Sequence, residues 1–419
     1  MATTPEFGLY HQWENLQSFI PTFAEMSTAA LVVTAPDAAA GIELNEPYRV
    51  NPTDGDFYAS LGTSGTAQRS IDALNAQLTD SAADLILVRV AEGASAAETI
   101  ANCAGVVADR TGMQALRRAP AKLGVQPRLV AIPDYTDTTG NAVAANLPGL
   151  LDALVAVAFV GGPNIGRQES IDWREDLPSH HRIIPAETRQ FATGRDGSEI
   201  EVDAAAAFVG KQIAVDAEKG GFPFHPIANR QVYGLRRPGR EIEFDLRDGE
   251  TEGQQLLAND IGIVVRGEIG VDGALADGGF TAIVTNTTSE DEERELYNVQ
   301  RGRDWIEITQ LKTLRDFLGK YNLSGHTMVA WAQTIEDILR MAFNEGHIAG
   351  FKVDMPANRN PATALAGGEL TTVFDAQPFP VFKRGRLIHR PYRAALTTTL
   401  EAARRRLDEG IALSGGIAG

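Results

Sequence analysis

Cysteine is almost absent from this sequence, which has one such residue, Cys103, among 419. A single thiol excludes an internal disulfide bond and a zinc site built from cysteine ligands. Cys103 lies in TIANCAGVVAD, a stretch of small residues with helical character. We therefore predict that Cys103 is a buried, chemically inert thiol rather than a catalytic nucleophile.

Positive charge is also scarce. The chain has 38 Lys and Arg residues against 55 Asp and Glu residues, which gives a formal net charge of -17 at pH 7. A nucleic-acid partner would require a basic surface, so this balance argues against one. An acidic surface instead favours solubility at high protein concentration.

Long apolar segments are missing as well. The most apolar run, LPGLLDALVAVAFVGG, is shorter than a membrane span and contains Asp152. The amino terminus, MATTPEFGLYHQ, has neither the basic segment nor the apolar segment of a secretory signal. These observations predict a soluble protein that is synthesised in the cytoplasm and does not insert into a membrane.

Common signatures of catalysis and nucleotide binding do not occur. There is no Gly-x-Ser-x-Gly motif, and GGPNIG at residues 161–166 lacks the residues of a phosphate-binding loop. His180 and His181 are adjacent just before a predicted strand, so we expect their rings to point to opposite faces and not to share a metal ion. No cofactor is predicted. The other histidines occur singly, at His11, His225, His326, His347 and His389.

Apolar residues are plentiful, at 43%, and 22% of the residues are charged. A chain of this length and composition can bury a large core and is too long for one ordinary domain. Between residues 24 and 219, helical patterns alternate with strand-like runs, namely STAALVVTAP, ADLILVRV, RLVAIP, VAVAFVGG and HRIIPA. This alternation predicts an α/β domain with a mainly parallel sheet covered on both faces.

Residues 220–391 have a different character, and we predict an α+β domain there. A helix predicted at 304–321 places its apolar residues on one face, namely Leu311, Leu314, Phe317, Leu318 and Tyr321. Its opposite face is basic and consists of Lys312, Arg315 and Lys320. An ordinary solvated helix face, with Asp316 pairing locally with these cations, is the alternative interpretation.

A second helix is predicted at 328–344 and ends at Gly346. Its apolar face consists of Trp331, Ile335, Ile338, Leu339 and Ala342. The segment GELTTVFDAQPFPVFKRGRLIHRP then predicts two strands joined around Pro378 and Pro380.

The two ends of the chain read as arms. Residues 1–23 have no clean periodicity, which is typical of a terminal arm. Residues 392–419 form a second arm in which apolar residues recur at helical spacing, at Tyr392, Leu396, Leu400, Ala403 and Leu407.

A parallel sheet also permits an enzyme, because ligands bind at the carboxyl ends of its strands. Asp134, Asp137, Glu92 and Asn164 all follow predicted strands and offer oxygen ligands to a divalent cation. The same residue types are common in any loop that follows a strand. A metal-assisted enzyme with its site near Asp134, Asp137 and Asn164 is therefore the alternative hypothesis.

The segment at residues 220–265 carries the most information about function. It reads GGFPFHPIANRQVYGLRRPGREIEFDLRDGETEGQQLLANDIGIVV, with an Asn-Arg pair among glycines and prolines and a helix end turning into a strand. It resembles the contractile tail sheath proteins of myophages, in which a Gly-Phe/Trp-x-x-Pro-x-Asn run precedes a Gly-Leu-x-Arg segment and a Leu-x-x-x-x-Ile strand. The resemblance extends over roughly residues 28–391 through STAALVVTAPDA, RLVAIPDYT, VAVAFVGGPN, NVQRGRDWIEITQL and MPANRNPATALAGGELTTVFDAQPFP. The set looks closest to the small sheaths of temperate phages.

This resemblance implies a structural subunit rather than an enzyme. Residues 24–219 would be an outer domain, residues 220–391 an inner domain against the tail tube, and the two arms would link neighbouring subunits. The subunits would stack as six-fold rings around the tube in the virion, contract, and meet baseplate and tail terminator proteins. Lys312, Arg315 and Lys320 would then face the tube. Residues 267–288 lack the Trp-Gly-x-Arg-Thr element of many relatives.

Overall fold

The structure is a computed structural model that describes residues 22–79, 81–187, 189–194 and 197–415. The chain divides into two compact units between Val381 and Phe382. The predicted arm at residues 1–23 lies outside the described residues except for Thr22 and Phe23. In the described part of the chain, no helix is both long enough and apolar enough to cross a lipid bilayer.

The first half of the chain alternates strands and helices, as the sequence predicts. Its described elements are β1 (Ala29–Thr34), β2 (Pro47–Val50), α1 (Gly55–Ser60), α2 (Ala67–Leu78), β3 (Leu85–Val90), α3 (Ala96–Ala104), a 3-10 helix (Gly112–Arg118), α4 (Ala119–Leu123), β4 (Leu129–Ala131), α5 (Ala142–Leu154), β5 (Val157–Gly161), α6 (Arg167–Asp176), β6 (Ile183–Ala186), β7 (Arg189–Thr193), β8 (Glu199–Asp203) and α7 (Ala205–Glu218).

The second half has shorter strands and longer helices. Its described elements are β9 (Arg230–Gln231), β10 (Leu235–Pro238), α8 (Glu252–Ala258), β11 (Ile263–Arg266), β12 (Phe280–Ile283), α9 (Tyr297–Leu314), a 3-10 helix (Arg315–Phe317), α10 (Gly325–Asn344), β13 (Ile348–Asp354), a 3-10 helix (Ala357–Arg359), α11 (Ala362–Ala366), β14 (Val373–Pro378) and α12 (Ala394–Gly415).

The principal sheet has six strands in the order β2-β3-β1-β4-β5-β6. All neighbouring strands are parallel except β2, which runs antiparallel to β3 at one edge. Every residue of β1 and β5 is buried, because helices cover both faces of the sheet. The predicted α/β fold with a mainly parallel sheet is therefore confirmed.

Helices α2 and α7 pack closely on one face of this sheet. The contact requires Gly210, because a Cβ atom there would lie 2.4 Å from the carbonyl oxygen of Leu74. The opposite face packs against α3, which carries the buried Cys103, and against α5 and Trp173 of α6. Burial raises the pKa of the Cys103 thiol to about 12, so the prediction of an inert buried thiol is confirmed.

The helix predicted at 304–321 has different bounds and a different buried surface. Helix α9 spans Tyr297–Leu314, and 14 of its 18 residues are buried. Leu311 and Leu318, assigned to the apolar face, are 69% and 72% exposed. The prediction failed because a helix buried on nearly all sides carries no amphipathic pattern, and the periodicity came from its exposed end.

The helix predicted at 328–344 is confirmed as α10, with Ser324 as its N-cap. Its predicted apolar face packs on α9 and β13, and Gly346 follows the helix with a φ of +75°. The predicted pair of strands around Pro378 is wrong. The strand β14 pairs antiparallel with β13 instead, and residues 379–393 form no strand. Pro378 and Pro380 have no backbone N–H group, so they cannot donate the hydrogen bonds that a second strand at this point would need.

Two smaller predictions are also confirmed. The LLANDIGIVV segment forms the end of α8 and then β11, joined by a turn in which Asp260 has a φ of +64°. The helical spacing after residue 391 corresponds to α12.

Candidate functional site

Arginines occupy the carboxyl edge of the sheet, where a metal site is the alternative prediction. Nη2 of Arg69 lies 2.6 Å from a carboxylate oxygen of Asp134, and Nη2 of Arg189 lies 2.5 Å from one of Asp137. Nη1 of Arg189 also lies 3.4 Å from Asp134. Guanidinium groups therefore neutralise the carboxylates that a cation would need.

The remaining residues of that prediction do not complete a site. Glu92 is exposed, and the side-chain amide of Asn164 packs against Gly239, where a Cβ atom would lie 2.3 Å from Nδ2. Burial raises the pKa of Asp134, and the neighbouring Asp203 raises it further. In the described part of the chain, Asp134 and Asp137 belong to no group of three carboxylate, histidine or cysteine ligands. The predicted metal site near Asp134 is wrong.

The edge instead joins structural elements. Oδ2 of Asp203 accepts a hydrogen bond of 2.8 Å from the backbone N–H of Asp134, and its Oδ1 accepts one of 2.9 Å from Ala205 at the start of α7. Arg189 on β7 also lies 3.4 Å from Glu201 on β8. These contacts hold the β7–β8 hairpin and α7 against the end of β4.

The prediction for His180 and His181 is also wrong. Their rings stack on each other, with centroids 4.6 Å apart and planes 28° apart. Both residues precede β6 and lie in a turn, where side chains do not alternate between two faces as they do in a strand.

Helix α9 is attached to the α/β half of the molecule by two buried ion pairs. Arg301 donates hydrogen bonds of 3.0 and 2.6 Å to the two carboxylate oxygens of Asp216 on α7, and both side chains are at most 1% exposed. Asp304 accepts a bidentate pair from Arg182, which precedes β6, with one bond of 2.8 Å.

Further polar groups surround the Arg301–Asp216 pair. Nε2 of Gln212 donates to Asp216 at 2.7 Å, and Oε1 of Gln212 accepts from the Tyr297 hydroxyl at 2.9 Å. Arg301 also donates to the carbonyl oxygen of Met26 at 2.9 Å. A buried charge is tolerated only when it is paired and hydrogen-bonded in this way. Sequence reasoning missed this network, whose only signal was the cluster of arginines in NVQRGRDWIEITQL.

The three residues of the predicted basic face occupy different structural positions. Lys312 is on α9, half-buried, and donates a hydrogen bond of 3.4 Å to the carbonyl oxygen of Phe23. Arg315 is on the 3-10 helix that follows, and Lys320 lies beyond it with its Nζ 5.4 Å from the Tyr321 ring centroid. Arg315 and Lys320 are exposed next to the exposed Leu311 and Leu318. The surface is therefore basic and apolar together.

The fold of this chain is similar to that of sheath and baseplate chains from contractile injection systems. Its fold matches a chain of the anti-feeding prophage (AFP) helical sheath in the contracted state, with a TM-score of 0.65 at 14% identity over 93% of this chain and all of that one. It matches a chain of the PVC sheath complex in the contracted state equally well, with a TM-score of 0.65 at 13% identity over 94% and 99%. A chain of the six-fold symmetrised AFP baseplate matches with a TM-score of 0.62 at 14% identity over 93% and 99%.

The sequence points to the same class. The chain is 27% identical over 305 residues to a protein of Pseudomonas aeruginosa (strain UCBPP-PA14) described as a putative prophage major tail sheath protein. The matched residues cover 68% of this chain and 71% of that protein. No protein-family model matches the sequence. The predicted resemblance to contractile tail sheath proteins is confirmed, and these relatives are structural proteins rather than enzymes.

Proposed function

We propose that this chain is the sheath subunit of a contractile tail or injection particle. Its subunits would polymerise as stacked six-fold rings around a tail tube, end at baseplate and terminator proteins, and contract to drive the tube through a cell envelope. The observation that carries the proposal is the sheath fold over 93% or more of the chain, together with the sequence relationship to a putative prophage sheath protein. Arginines pair with Asp134 and Asp137, the carboxylates on which the enzyme hypothesis depended.

Electron microscopy of the purified protein tests this proposal directly. Long hollow helical tubes or stacked rings are the expected result, because contacts that propagate without closing generate filaments. A chain that stays monomeric or forms a closed dimer at high concentration, in every salt condition, would contradict the proposal.

Contacts at residues 22–24 support a linking role for the amino-terminal arm. The backbone N–H groups of Thr22 and Ala24 each donate a hydrogen bond of 3.1 Å, to Thr313 and Thr309 on α9 respectively. The ring of Phe23 stacks on Trp305 with centroids 6.3 Å apart. Residues 22–24 are therefore anchored on α9.

Removal of residues 1–20 should give a folded, soluble protein that no longer polymerises, because an arm that joins neighbours contributes little to its own fold. Circular dichroism and thermal unfolding report the fold, and electron microscopy reports assembly. A truncated chain that still forms normal tubes would overturn the arm assignment.

We also propose that the basic and apolar surface at the end of α9 contacts the tail tube. Arg315 and Lys320 are exposed cations in a strongly acidic chain, and Leu311 and Leu318 next to them have no apolar cover within the described residues. Each exposed ion pair would contribute about 0.2–1 kcal/mol, repeated in every subunit. Weak repeated contacts suit a sheath that must release the tube when it contracts.

The test changes Lys312, Arg315 and Lys320 together to Glu. Sheath tubes should still form, while decoration of purified tail tubes should be lost. A control variant makes the same charge change at three exposed residues on other elements, Arg236, Arg266 and Lys352, and should still decorate. Normal decoration by the first variant would leave its three residues as ordinary surface.

A further inference from the structure

We propose that Asp152, His180 and His181 form a binding site for a divalent transition-metal ion. The site lies at the amino edge of the six-stranded sheet, opposite the edge that the arginines occupy. Asp152 is in the last turn of α5, and the two histidines are in the turn before β6. One potential ligand atom from each of the three residues lies within 4.8 Å of the other two.

The turn holds the two rings together. Thr288 anchors the backbone at His180: its hydroxyl oxygen accepts from His180 N–H at 3.0 Å, and the hydroxyl lies 2.6 Å from the carbonyl oxygen of Pro178 and 3.1 Å from that of His180. The stacked arrangement of the rings therefore rests on a constrained backbone, and it presents two imidazoles on the same side as the Asp152 carboxylate.

The ligand atoms are available for coordination. Nε2 of His180 is buried and lies 3.2 Å from Oδ1 of Asp152, so two potential ligand atoms already face each other. The Asp152 side chain is 58% exposed, so it can rotate toward a bound ion. Metal–nitrogen distances in a tetrahedral site are about 2.0–2.1 Å, so the three ligand atoms would have to move slightly closer together around the ion. Three protein ligands would leave one position for water.

The protonation state also suits a metal. Burial, together with the neighbouring Arg182 and His180, lowers the pKa of His181 to about 4. Burial lowers the pKa of His180 as well. Metal ligation requires neutral imidazoles, and both shifts favour that form. Nδ1 of His180 accepts a long bond of 3.3 Å from Arg182 N–H, and coordination through Nε2 would move the ring proton to Nδ1 and break that bond.

The charges around the site nearly balance. Nε of Arg182 lies 3.4 Å from Asp152, but its guanidinium is already paired with Asp304. Arg294 lowers the pKa of both histidines, and its Nε lies 3.7 Å from a carboxylate oxygen of Asp291. Two imidazoles and one carboxylate favour zinc, nickel or copper over calcium or magnesium, which prefer oxygen ligands.

The ion would connect α5 to the turn that carries Arg182. Since Arg182 holds Asp304 on α9, a metal at this position would stabilise the junction between α9 and the sheet. This inference is independent of the proposed sheath function, because metal binding and thermal stability can be measured on the unassembled chain.

The experiment titrates zinc into the full, untagged chain after treatment with a chelator, using calorimetry and thermal unfolding. We expect one ion to bind per chain and to raise the unfolding temperature, since a ligand that binds only the folded state stabilises it. Asp152→Asn and His181→Ala should each weaken binding at least about tenfold. His326→Ala, which removes an exposed histidine on α10, should bind as the wild type does.

Cobalt gives a second readout that does not depend on stability. A visible absorption band typical of a tetrahedral site should form with the wild-type chain and be absent from His181→Ala. Binding of zinc with equal affinity by the wild type and by His181→Ala would overturn the proposal, and so would the absence of saturable binding at millimolar zinc.

Discussion

The two compact units of this chain differ in both charge and burial. Residues 382–419 contain eight basic and three acidic residues, which gives them a net charge of +5. The whole chain has a net charge of -17, so the first 381 residues have a net charge of -22. In the first unit, charged side chains such as Arg301 and Asp216 pair with each other in the core. In the second unit, large apolar side chains face solvent, with Phe382 at 85% and Leu387 at 99% exposure.

The difference separates a unit that buries its large apolar side chains from one that exposes them. A segment of 38 residues is too short to bury a core of its own without other support. Its helix α12 carries an exposed apolar stripe, consisting of Tyr392, Leu396, Leu400 and Leu407. Because the second unit is basic and the first is strongly acidic, a second copy of this chain offers a surface of complementary charge.

The largest expected effect comes from removing the second unit. A chain that ends at Val381 should remain folded and lose polymerisation completely, because the contacts of the core lie within the first unit. Thermal unfolding should change little, while electron microscopy should find no tubes. A large loss of stability would instead mean that residues 382–419 belong to the core, and the comparison between the two units would fail.

The next largest effect is expected at the buried ion pair. Asp216→Ala leaves the Arg301 guanidinium buried without its partner, which should reduce the free energy of unfolding by about 3–5 kcal/mol. Urea denaturation measures the change. The exposed pair of Arg340 and Glu336 on α10 provides the control, since Arg340→Ala should cost less than about 1 kcal/mol. Equal losses in the two variants would show that burial is not what makes the first pair important.

A third effect depends on pH. The His347 ring stacks on Phe224, with centroids 4.8 Å apart, and its Nδ1 is buried without a hydrogen bond. Burial, together with the neighbouring His225 and Lys219, lowers the pKa of His347 to about 4. The unfolded chain, with a histidine pKa of about 6.5, therefore binds more protons than the folded chain between pH 6.5 and 4.

Stability contributed by neutral His347 should accordingly be present above pH 6.5 and be lost as the pH falls toward 4. We expect a loss of about 1–3 kcal/mol over that range, measured by urea denaturation at several pH values. His347→Gln should reduce this pH dependence, and the exposed His326→Gln should not. An unchanged slope in His347→Gln would refute the assignment.

The smallest effect concerns salt. If basic residues of the second unit meet acidic surface on a neighbour, the rate of polymerisation should fall severalfold between low and physiological ionic strength, because exposed charges are screened beyond about 8–10 Å. Light scattering measures the rate. Changing Arg404, Arg405 and Arg406 to Gln should weaken the salt dependence, and a rate that is independent of salt in the wild type would argue for a purely apolar contact.

Much of the fold could be predicted because the signals were local. The fully apolar runs of β1 and β5 indicate strands buried on both faces, and the structure has them in a parallel sheet. The α10 helix has a clear amphipathic face, so its extent was predicted within three residues at its start. By contrast, α9 is buried on nearly all sides, and its 14 buried residues carry no stripe that a periodicity argument can use.

The candidate sites divide in the same way. The sequence places Asp134 and Asp137 at the carboxyl ends of parallel strands correctly, but it cannot indicate that Arg69 and Arg189, distant in the chain, pair with them. It likewise cannot reveal that a turn stacks His180 on His181 beside Asp152. Both outcomes depend on backbone geometry and on contacts between residues 28 to 65 positions apart.

The sequence by itself determined the fold class of this protein and its resemblance to tail sheath proteins. Its apolar periodicity indicates an α/β chain, and the order of its motifs resembles that of tail sheath proteins, since these properties depend on which residues follow one another. The tertiary structure decided which charges are neutralised inside the molecule and which remain available outside. Arg301 finds Asp216 across 85 positions because α7 and α9 pack together, and the electrostatic role of a charge is set by the groups that folding brings within a few ångströms of it.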